Sequence, residues 1–192
     1  MDNCALSTSC LKVISKNFKE FDFNKSIKGI KSVNWPARSQ IINKGKLANK
    51  IDKDYVIILD GAHNVSGAKA LSKVLSSIDT EWQLIFGYLK TRKPADFLNE
   101  LKSITQKIIT TEITGQENSF SSKELFEIIQ EKGIPVDKSK NLYEAIEIAS
   151  QNKLNVCTVS YTHLRAHETP EHRVCRLKHE KKKGGGGGGG GG

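Results

Sequence analysis

The sequence predicts an α/β protein built on a doubly wound, mainly parallel sheet, preceded by a short helical segment. Two observations predict this class. From residue 55 onward, short apolar runs alternate with longer amphipathic stretches, which is typical of strands joined by crossover helices. The apolar runs are four to six residues long and the amphipathic stretches about ten, which favours a mainly parallel, doubly wound sheet. Because ligands bind outside the carboxyl ends of such strands, we expect any functional site at that edge of the sheet.

Two helices are predicted before the alternation begins. Apolar residues recur at helical spacing across most of 4–18. A second, short helix follows Asn24, whose side chain can cap it. It should end by Trp35, because the residue before Pro36 is disfavoured in helical geometry. We therefore predict a domain boundary near Trp35.

The remaining elements follow in order along 35–158, the main predicted domain. Residues 39–43, which precede a Lys-Gly-Lys turn, indicate an extra strand that pairs at a sheet edge. A capping box formed by Ser121 and Glu124 opens one of the later helices, and Gly133 ends it. The predicted strands are 55–59, 82–86, 107–111, 134–136 and 154–157, and the predicted helices are 66–78, 94–104, 121–133 and 141–151.

The charge distribution argues against nucleic acid as a partner. The net charge is +9 over 192 residues, but Val159 to Gly192 holds seven Lys/Arg and three Asp/Glu, so the rest of the chain carries +5. Those lysines alternate with acids and do not form the basic stripe that phosphate backbones require. No segment approaches the roughly 18 apolar residues of a membrane span, and the start lacks a signal-peptide pattern. We expect a cytoplasmic chain without membrane or nucleic-acid partners.

The cysteines indicate neither a zinc site nor a disulfide framework. Cys4, Cys10, Cys157 and Cys175 show no CxxC pairing and no histidine-ligand spacing. We therefore expect reduced thiols and no metal ligands among them.

The last predicted segment, 159–192, is expected to be a non-native, disordered tail. Its beginning is similar to translated sequencing-adapter read-through, and it ends in nine glycines. This interpretation argues against a metal cluster around His163 and His167, although two histidines four residues apart can share a ligand face of a helix. Pro170 would also break such a helix early.

The stretch from Val56 to Asn64 is the most informative for function, because an apolar strand leads directly into Asp-Gly-Ala-His-Asn. Asp60 could hold a ribose hydroxyl or a cation's water, and His63 could bind a carboxylate or stabilise phosphate charge. Asn64 could cap the following helix, whose free N–H groups favour an anion. The plainer alternative is a capped turn with a satisfied histidine, and the local sequence alone favours that alternative slightly.

The upstream segment 35–38, Trp-Pro-Ala-Arg, changes this balance. It places a guanidinium at the predicted domain junction, where a planar fork can clamp a nucleotide phosphate. Together the two segments resemble the Trp-Pro-Gly-Arg and Asp-Gly-Ala-His-Asn-Pro motifs of the folylpolyglutamate synthase/dihydrofolate synthase family within the Mur ligases. Ala37 stands where that family usually has Gly, and Val65 where it usually has Pro, but neither change removes a functional group. The resemblance covers about 2–157.

The resemblance implies a Rossmann-like Mur ligase C-terminal domain and assigns roles to individual residues. Asn3, Arg38 and Asp60 match positions that contact ATP, with Arg38 near the phosphates. His63 matches a residue that handles the incoming glutamate, and it is the implied catalytic residue. The family activates a folate or pteroate carboxylate as an acyl phosphate, which the amine of L-glutamate then attacks, so positioning and charge stabilisation dominate catalysis. The implied partners are these small molecules and ATP, and the implied state is a monomer.

The sequence has no G-x-x-x-x-G-K-[ST] phosphate loop. The family places that loop and its Mg²⁺ ligands in an amino-terminal domain. The resemblance therefore implies that 1–34 is a remnant of the central ATP-binding domain and that this chain is a C-terminal fragment, inactive alone. Two alternatives stay open. One is another Mur-type amino-acid ligase, which would share the fold. The other is a non-catalytic Rossmann-like module that binds a nucleotide weakly through Arg38 and Asp60.

Overall fold

The computed structural model describes residues 2–18, 20–32, 37–45, 48–79 and 81–159. Within these residues the sheet has six strands in the order β1-β2-β6-β3-β4-β5, and only β1 is antiparallel to its neighbour. The mainly parallel sheet predicted from the sequence is confirmed. The strands are β1 Gln40–Ile41, β2 Ile57–Asp60, β3 Trp82–Phe86, β4 Thr105–Thr110, β5 Val136–Lys138 and β6 Asn155–Val159.

Helices cover both faces of the sheet, as a doubly wound fold requires. The α-helices are α1 Asp2–Asn17, α2 Phe23–Ser32, α3 Val65–Ser76, α4 Pro94–Asn99, α5 Ser122–Gln130 and α6 Leu142–Ser150, and short 3₁₀ turns lie at Ala48–Lys50 and Lys102–Ile104. On one face, α3, α4 and α5 pack against strand residues such as Ile58 and Leu84. On the other face, α6 packs against Ile57, Ile85 and Ile109. Successive strand residues thus enter opposite cores, since side chains alternate across a strand.

The register brings the carboxyl ends of the parallel strands into one row. Asp60 pairs with Val159, Val159 with Phe86, Phe86 with Thr110, and Thr110 with Lys138. Strand β6 therefore lies between β2 and β3, although it is the last strand along the chain. The loops that follow β2 and β3 open on either side of the β6 end, at the edge where ligands are expected.

Several element boundaries differ from the sequence prediction. The helix predicted over 94–104 ends at Asn99 and continues as a 3₁₀ turn. The last strand was predicted to end at residue 157, but it continues to Val159, one residue past the predicted domain boundary at 158. Both extra residues of β6 keep the parallel register with its two neighbours, so the flanking strands extend it.

The two amino-terminal helices form a pair outside both cores. Helix α1 has its main contacts with α2, and neither helix contributes a residue to the two core clusters of the described chain. Leu6 and Val13 on α1 are 65% and 61% exposed. Asn24 was predicted to cap α2, and this prediction is wrong: Asn24 lies within the helix, and the Asp22 carboxylate accepts the Lys25 amide at 3.0 Å. Among the described residues, no helix is both long and apolar enough to cross a bilayer.

Candidate functional site

The turn after β2 is organised by the carboxylate of Asp60, which is 6% exposed. The Ser39 amide donates to its Oδ2 at 2.6 Å, and the Ser39 hydroxyl lies 3.2 Å from the same oxygen. The Ala62 amide donates to Oδ1 at 2.6 Å. Hydrogen bonds to an ionised acceptor are stronger than neutral ones. Asp60 therefore fixes both its own turn and the loop that holds Ser39.

The loop at 37–39 lies directly against the Asp60 turn. The Gly61 amide donates to the Ala37 carbonyl at 2.8 Å, and the Ala37 amide donates to Gln40 Oε1 at 2.9 Å. Ala37 and Ser39 have φ values of 58° and 46°, in the left-handed region that favours glycine. This geometry explains why the related motif has Gly where this chain has Ala37.

Arg38 lies between these two strained residues, and its side chain is exposed. The structure therefore brings the Arg38 segment and the Asp60 turn together. The carboxylate of Asp60 bonds to Ser39 and Ala62, the neighbours of Arg38 and His63, so it links the two segments without a hydrogen bond or ion pair to either side chain. Trp35 and Pro36 lie outside the described residues.

His63 lies at the outer surface of the turn. Its Nδ1 is 2.9 Å from the carbonyl oxygen of Gly61. Because a carbonyl only accepts, this contact places the proton on Nδ1 and leaves Nε2 as the outer nitrogen. The main-chain carbonyl of His63 in turn accepts the hydroxyl of Tyr88 at 3.0 Å. The histidine is thus held at its ring and at its backbone.

Asn64 caps helix α3, as the sequence predicts: its side chain accepts the Gly67 amide at 2.8 Å. Gly67 permits a close approach, since a Cβ there would lie 3.2 Å from the Cβ of Ala62 and 3.3 Å from Asn64 Oδ1. The helix start is therefore packed tightly onto the Asp60 turn. Its first N–H groups face the carboxyl edge with their partial positive charge.

A second loop, 87–93, follows β3 and adds basic side chains to the same edge. The Lys90 amide donates to the Asn118 carbonyl at 2.7 Å, and Lys90 Nζ contacts Glu124 Oε1 at 2.8 Å. Hydrogen bonds from Lys90 and then from Ser121 lower the pKa of Glu124 to about 2. This loop is consequently tethered to the start of α5, and it leaves Arg92 exposed.

Two residues of this site were not identified from the sequence. No role was predicted for Tyr88, and Glu124 was predicted only as a member of a capping box. The one available sequence signal for Tyr88 was its position two residues past the end of β3, at the edge where ligands bind. Its partner His63 is distant along the chain, so no local pattern could reveal the contact.

The side chain of Asn3, another predicted nucleotide contact, lies outside the described part of the chain. Within the described ranges, no group of three His, Cys, Asp or Glu side chains could hold a metal ion. Cys157 is fully buried in β6 beside the Asp60 strand, and burial, followed by the charge of Asp60, raises the pKa of its thiol well above the ordinary value. Cys157 is therefore an inert core residue.

Comparison with protein families gives a match over residues 46–159 to the family described as Mur ligase, glutamate ligase domain. The chain belongs to the Mur ligase family. The matched segment runs from the loop before β2 to the end of β6, so it includes Asp60, His63 and Tyr88 but begins after Arg38. No curated relative matches this Mur ligase chain.

Solved structures with a similar fold include folylpolyglutamate synthases. The Mycobacterium tuberculosis enzyme complexed with ADP has a TM-score of 0.62 and 18% identity, covering 77% of this chain and 34% of its own. E. coli FolC in complex with DHPP and ADP has a TM-score of 0.63 and 21% identity, with the same coverages of 77% and 34%.

A third similar structure is the bifunctional folylpolyglutamate synthase/dihydrofolate synthase from Yersinia pestis, complexed with AMPPNP and Mn ion. It has a TM-score of 0.59 and 19% identity, and the match covers 73% of this chain and 32% of that one. At such identities the similarity establishes the fold. This Mur ligase chain spans about a third of the length of these proteins.

Proposed function

We propose that this chain is the glutamate-ligase part of a cytoplasmic, ATP-dependent enzyme of the folylpolyglutamate synthase/dihydrofolate synthase type. One observation carries the proposal: the carboxylate of Asp60 bonds to both Ser39 and Ala62, and so holds the Arg38 and His63 segments together at one edge. Those two segments are the ones whose motifs resemble this enzyme type. Membership in the Mur ligase family supports the reaction class.

In the proposed reaction, ATP phosphorylates the carboxylate of a folate or pteroate substrate. The amine of L-glutamate then attacks the acyl phosphate, the C–N bond forms and phosphate leaves with the C–O bond electrons. The exposed guanidinium of Arg38 would contact nucleotide phosphates, with Asn3 as a further nucleotide contact. His63 would present Nε2 to the incoming glutamate, beside the N–H groups that begin α3. Positioning is the main contribution of these residues.

Asp60 would act mainly through its loop contacts. Its oxygens accept two main-chain amides and one hydroxyl, so we propose that it shapes the nucleotide site and that any ribose contact uses the remaining lone pairs. Within the described residues no group of three His, Cys, Asp or Glu side chains could hold a metal ion. In our proposal a separate domain with a phosphate loop holds the metal.

Isothermal titration calorimetry of the full chain with ADP and, separately, with L-glutamate tests this function. Arg38→Ala should weaken ADP binding and spare glutamate binding, whereas His63→Ala should do the reverse. Loss of one charge-assisted contact corresponds to about 10-fold or more in affinity. Lys53→Ala, an exposed cation before β2 at the opposite edge of the sheet, is the matched control and should change neither affinity.

The result that contradicts the proposal is a wild-type chain that binds neither ligand, or two variants that lose both affinities equally. Binding of ADP through Arg38 without any binding of L-glutamate would favour the non-catalytic nucleotide module instead.

A further inference from the structure

The side chain of Tyr88 is buried beside the candidate site and packs against other aromatic rings. The side chain is 5% exposed, and its ring stacks on Phe86 at 5.2 Å between centroids and packs against Phe97 at 5.4 Å. The Phe120 amide donates to the Tyr88 carbonyl at 2.9 Å. Aromatic rings in such a cluster have little freedom to move. The position of the Tyr88 hydroxyl is therefore set by the core.

The hydroxyl of Tyr88 connects two loops that are not neighbours in the sheet. It donates to the main-chain carbonyl of His63 at 3.0 Å. Tyr88 follows β3 and His63 follows β2, and strand β6 lies between these two strands. The hydrogen bond thus spans the carboxyl end of β6 and ties the outer turn to the core of the domain.

The hydroxyl of Tyr88 keeps its proton and so can always donate a hydrogen bond. Burial raises the pKa of the Tyr88 hydroxyl; the charge of Arg92 lowers it, and that of Asp96 raises it. The phenol therefore stays protonated at neutral pH. His63, the residue that accepts this hydrogen bond, has a second fixed contact, between its Nδ1 and the Gly61 carbonyl.

We propose that Tyr88 is a positioning residue for His63: by holding the His63 carbonyl, it sets the direction in which the imidazole Nε2 faces the glutamate site. The geometry supplies two fixed points, one at the backbone and one at Nδ1, and together they define the orientation of the ring. The consequence for glutamate binding rests on the function proposed above for His63. The effect on the ring itself does not depend on that function.

The test compares Tyr88→Phe with the wild-type chain. This change keeps the buried ring and removes only the donor. Tyr55→Phe, which removes a hydroxyl just before β2 at the opposite edge of the sheet, is the matched control. The imidazole signals of His63 in ¹⁵N-histidine NMR spectra, assigned with His63→Ala, report the orientation and tautomer of the ring. The affinity for L-glutamate is measured by calorimetry on the same samples.

We expect Tyr88→Phe to shift or broaden the His63 imidazole signals and to weaken L-glutamate binding by about threefold to 10-fold, the range for one neutral hydrogen bond. Tyr55→Phe should leave both readouts unchanged. Placing 4-aminophenylalanine at position 88 restores a donor and should restore the signals. Unchanged His63 signals in Tyr88→Phe would overturn the proposal.

The two proposals can fail separately. If the wild-type chain does not bind L-glutamate, the proposed function fails, and the imidazole signals still decide whether Tyr88 positions the ring. If Tyr88→Phe lowers the thermal midpoint so far that it does not fold, 4-aminophenylalanine decides instead: native His63 signals support the proposal, and altered signals in a folded chain contradict it.

Discussion

Asp60 shows how a residue in a functional motif can act through the backbone. The motif predicted a side chain that faces a ligand, but the carboxylate is buried and its three donors come from Ser39 and Ala62. Ser39 has a φ of 46°, a conformation that persists only where the surroundings enforce it. The bonds to Asp60 provide that enforcement, so the shape of the Arg38 loop depends on a residue in another strand.

Asp60→Asn should destabilise the protein by about 1.5–3 kcal/mol, the range for hydrogen bonds to a charged acceptor. The amide group of Asn has one acceptor oxygen, and its NH₂ would face an N–H donor. Urea unfolding monitored by circular dichroism measures the difference. Asp54→Asn, at an exposed position in the turn before β2, should stay within about 0.5 kcal/mol of wild type. Equal urea midpoints for Asp60→Asn and Asp54→Asn would show that the hydrogen bonds to the Asp60 carboxylate do not stabilise the protein.

At the scale of elements, local chemistry was predictable and long-range contacts were not. The capping box at Ser121 and Glu124 was predicted from four residues and is confirmed, with both reciprocal bonds present. The cap at Asn24 was wrong because Asp22, two residues earlier, is an equally good acceptor. The contact of Lys90 with Glu124 joins different elements, so no periodicity or cap signal could indicate it.

The Lys90–Glu124 contact predicts a pH dependence. The pKa of Glu124 is about 2 in the folded chain against an ordinary value of 4.5, mainly because of the Lys90 hydrogen bond. A lowered folded-state pKa stabilises the protein above the unfolded-state value, and this contribution is lost as pH falls toward 2. Unfolding free energies of wild type and Glu124→Gln should therefore differ by a constant amount at neutral pH and converge between about pH 4.5 and 2.

Lys90→Met is the control for the cause of this shift. It removes the largest contribution to the low pKa of Glu124, so the acid-dependent loss of stability should still begin near pH 4.5, but it should be smaller and should end at a higher pH than in wild type. An acid unfolding curve that is identical in wild type, Glu124→Gln and Lys90→Met would contradict the assignment.

At the scale of the whole molecule, the sequence predicted the class of the sheet but not the order of its strands. The alternation of apolar runs and amphipathic stretches gave parallel strands with crossover helices, because each pattern reflects the local period of burial. The insertion of β6 between β2 and β3 depends on how the whole chain closes, which no window of residues records. The same limit applies to the candidate site. Its motifs could be recognised in the sequence, but the Tyr88 contact across the end of β6 could not.

The two cores also predict which part of the chain folds as a unit. Among the residues that the structure describes, every member of both core clusters lies within 37–159, and α1 and α2 contribute none. The predicted boundary near Trp35 divides the chain at the same place. Since both cores pack against the same sheet and burial of apolar surface drives cooperative folding, a chain restricted to residues 35–159 should unfold in a single transition. Its unfolding free energy should lie within about 0.5 kcal/mol of that measured for the core of the full chain.

Thermal and urea unfolding of both chains, followed by near-UV circular dichroism of buried Trp82, measure the number of transitions and the unfolding free energy. A markedly lower midpoint for the shorter chain would show that α1 and α2 stabilise the sheet, and the boundary would then have to move toward the amino terminus.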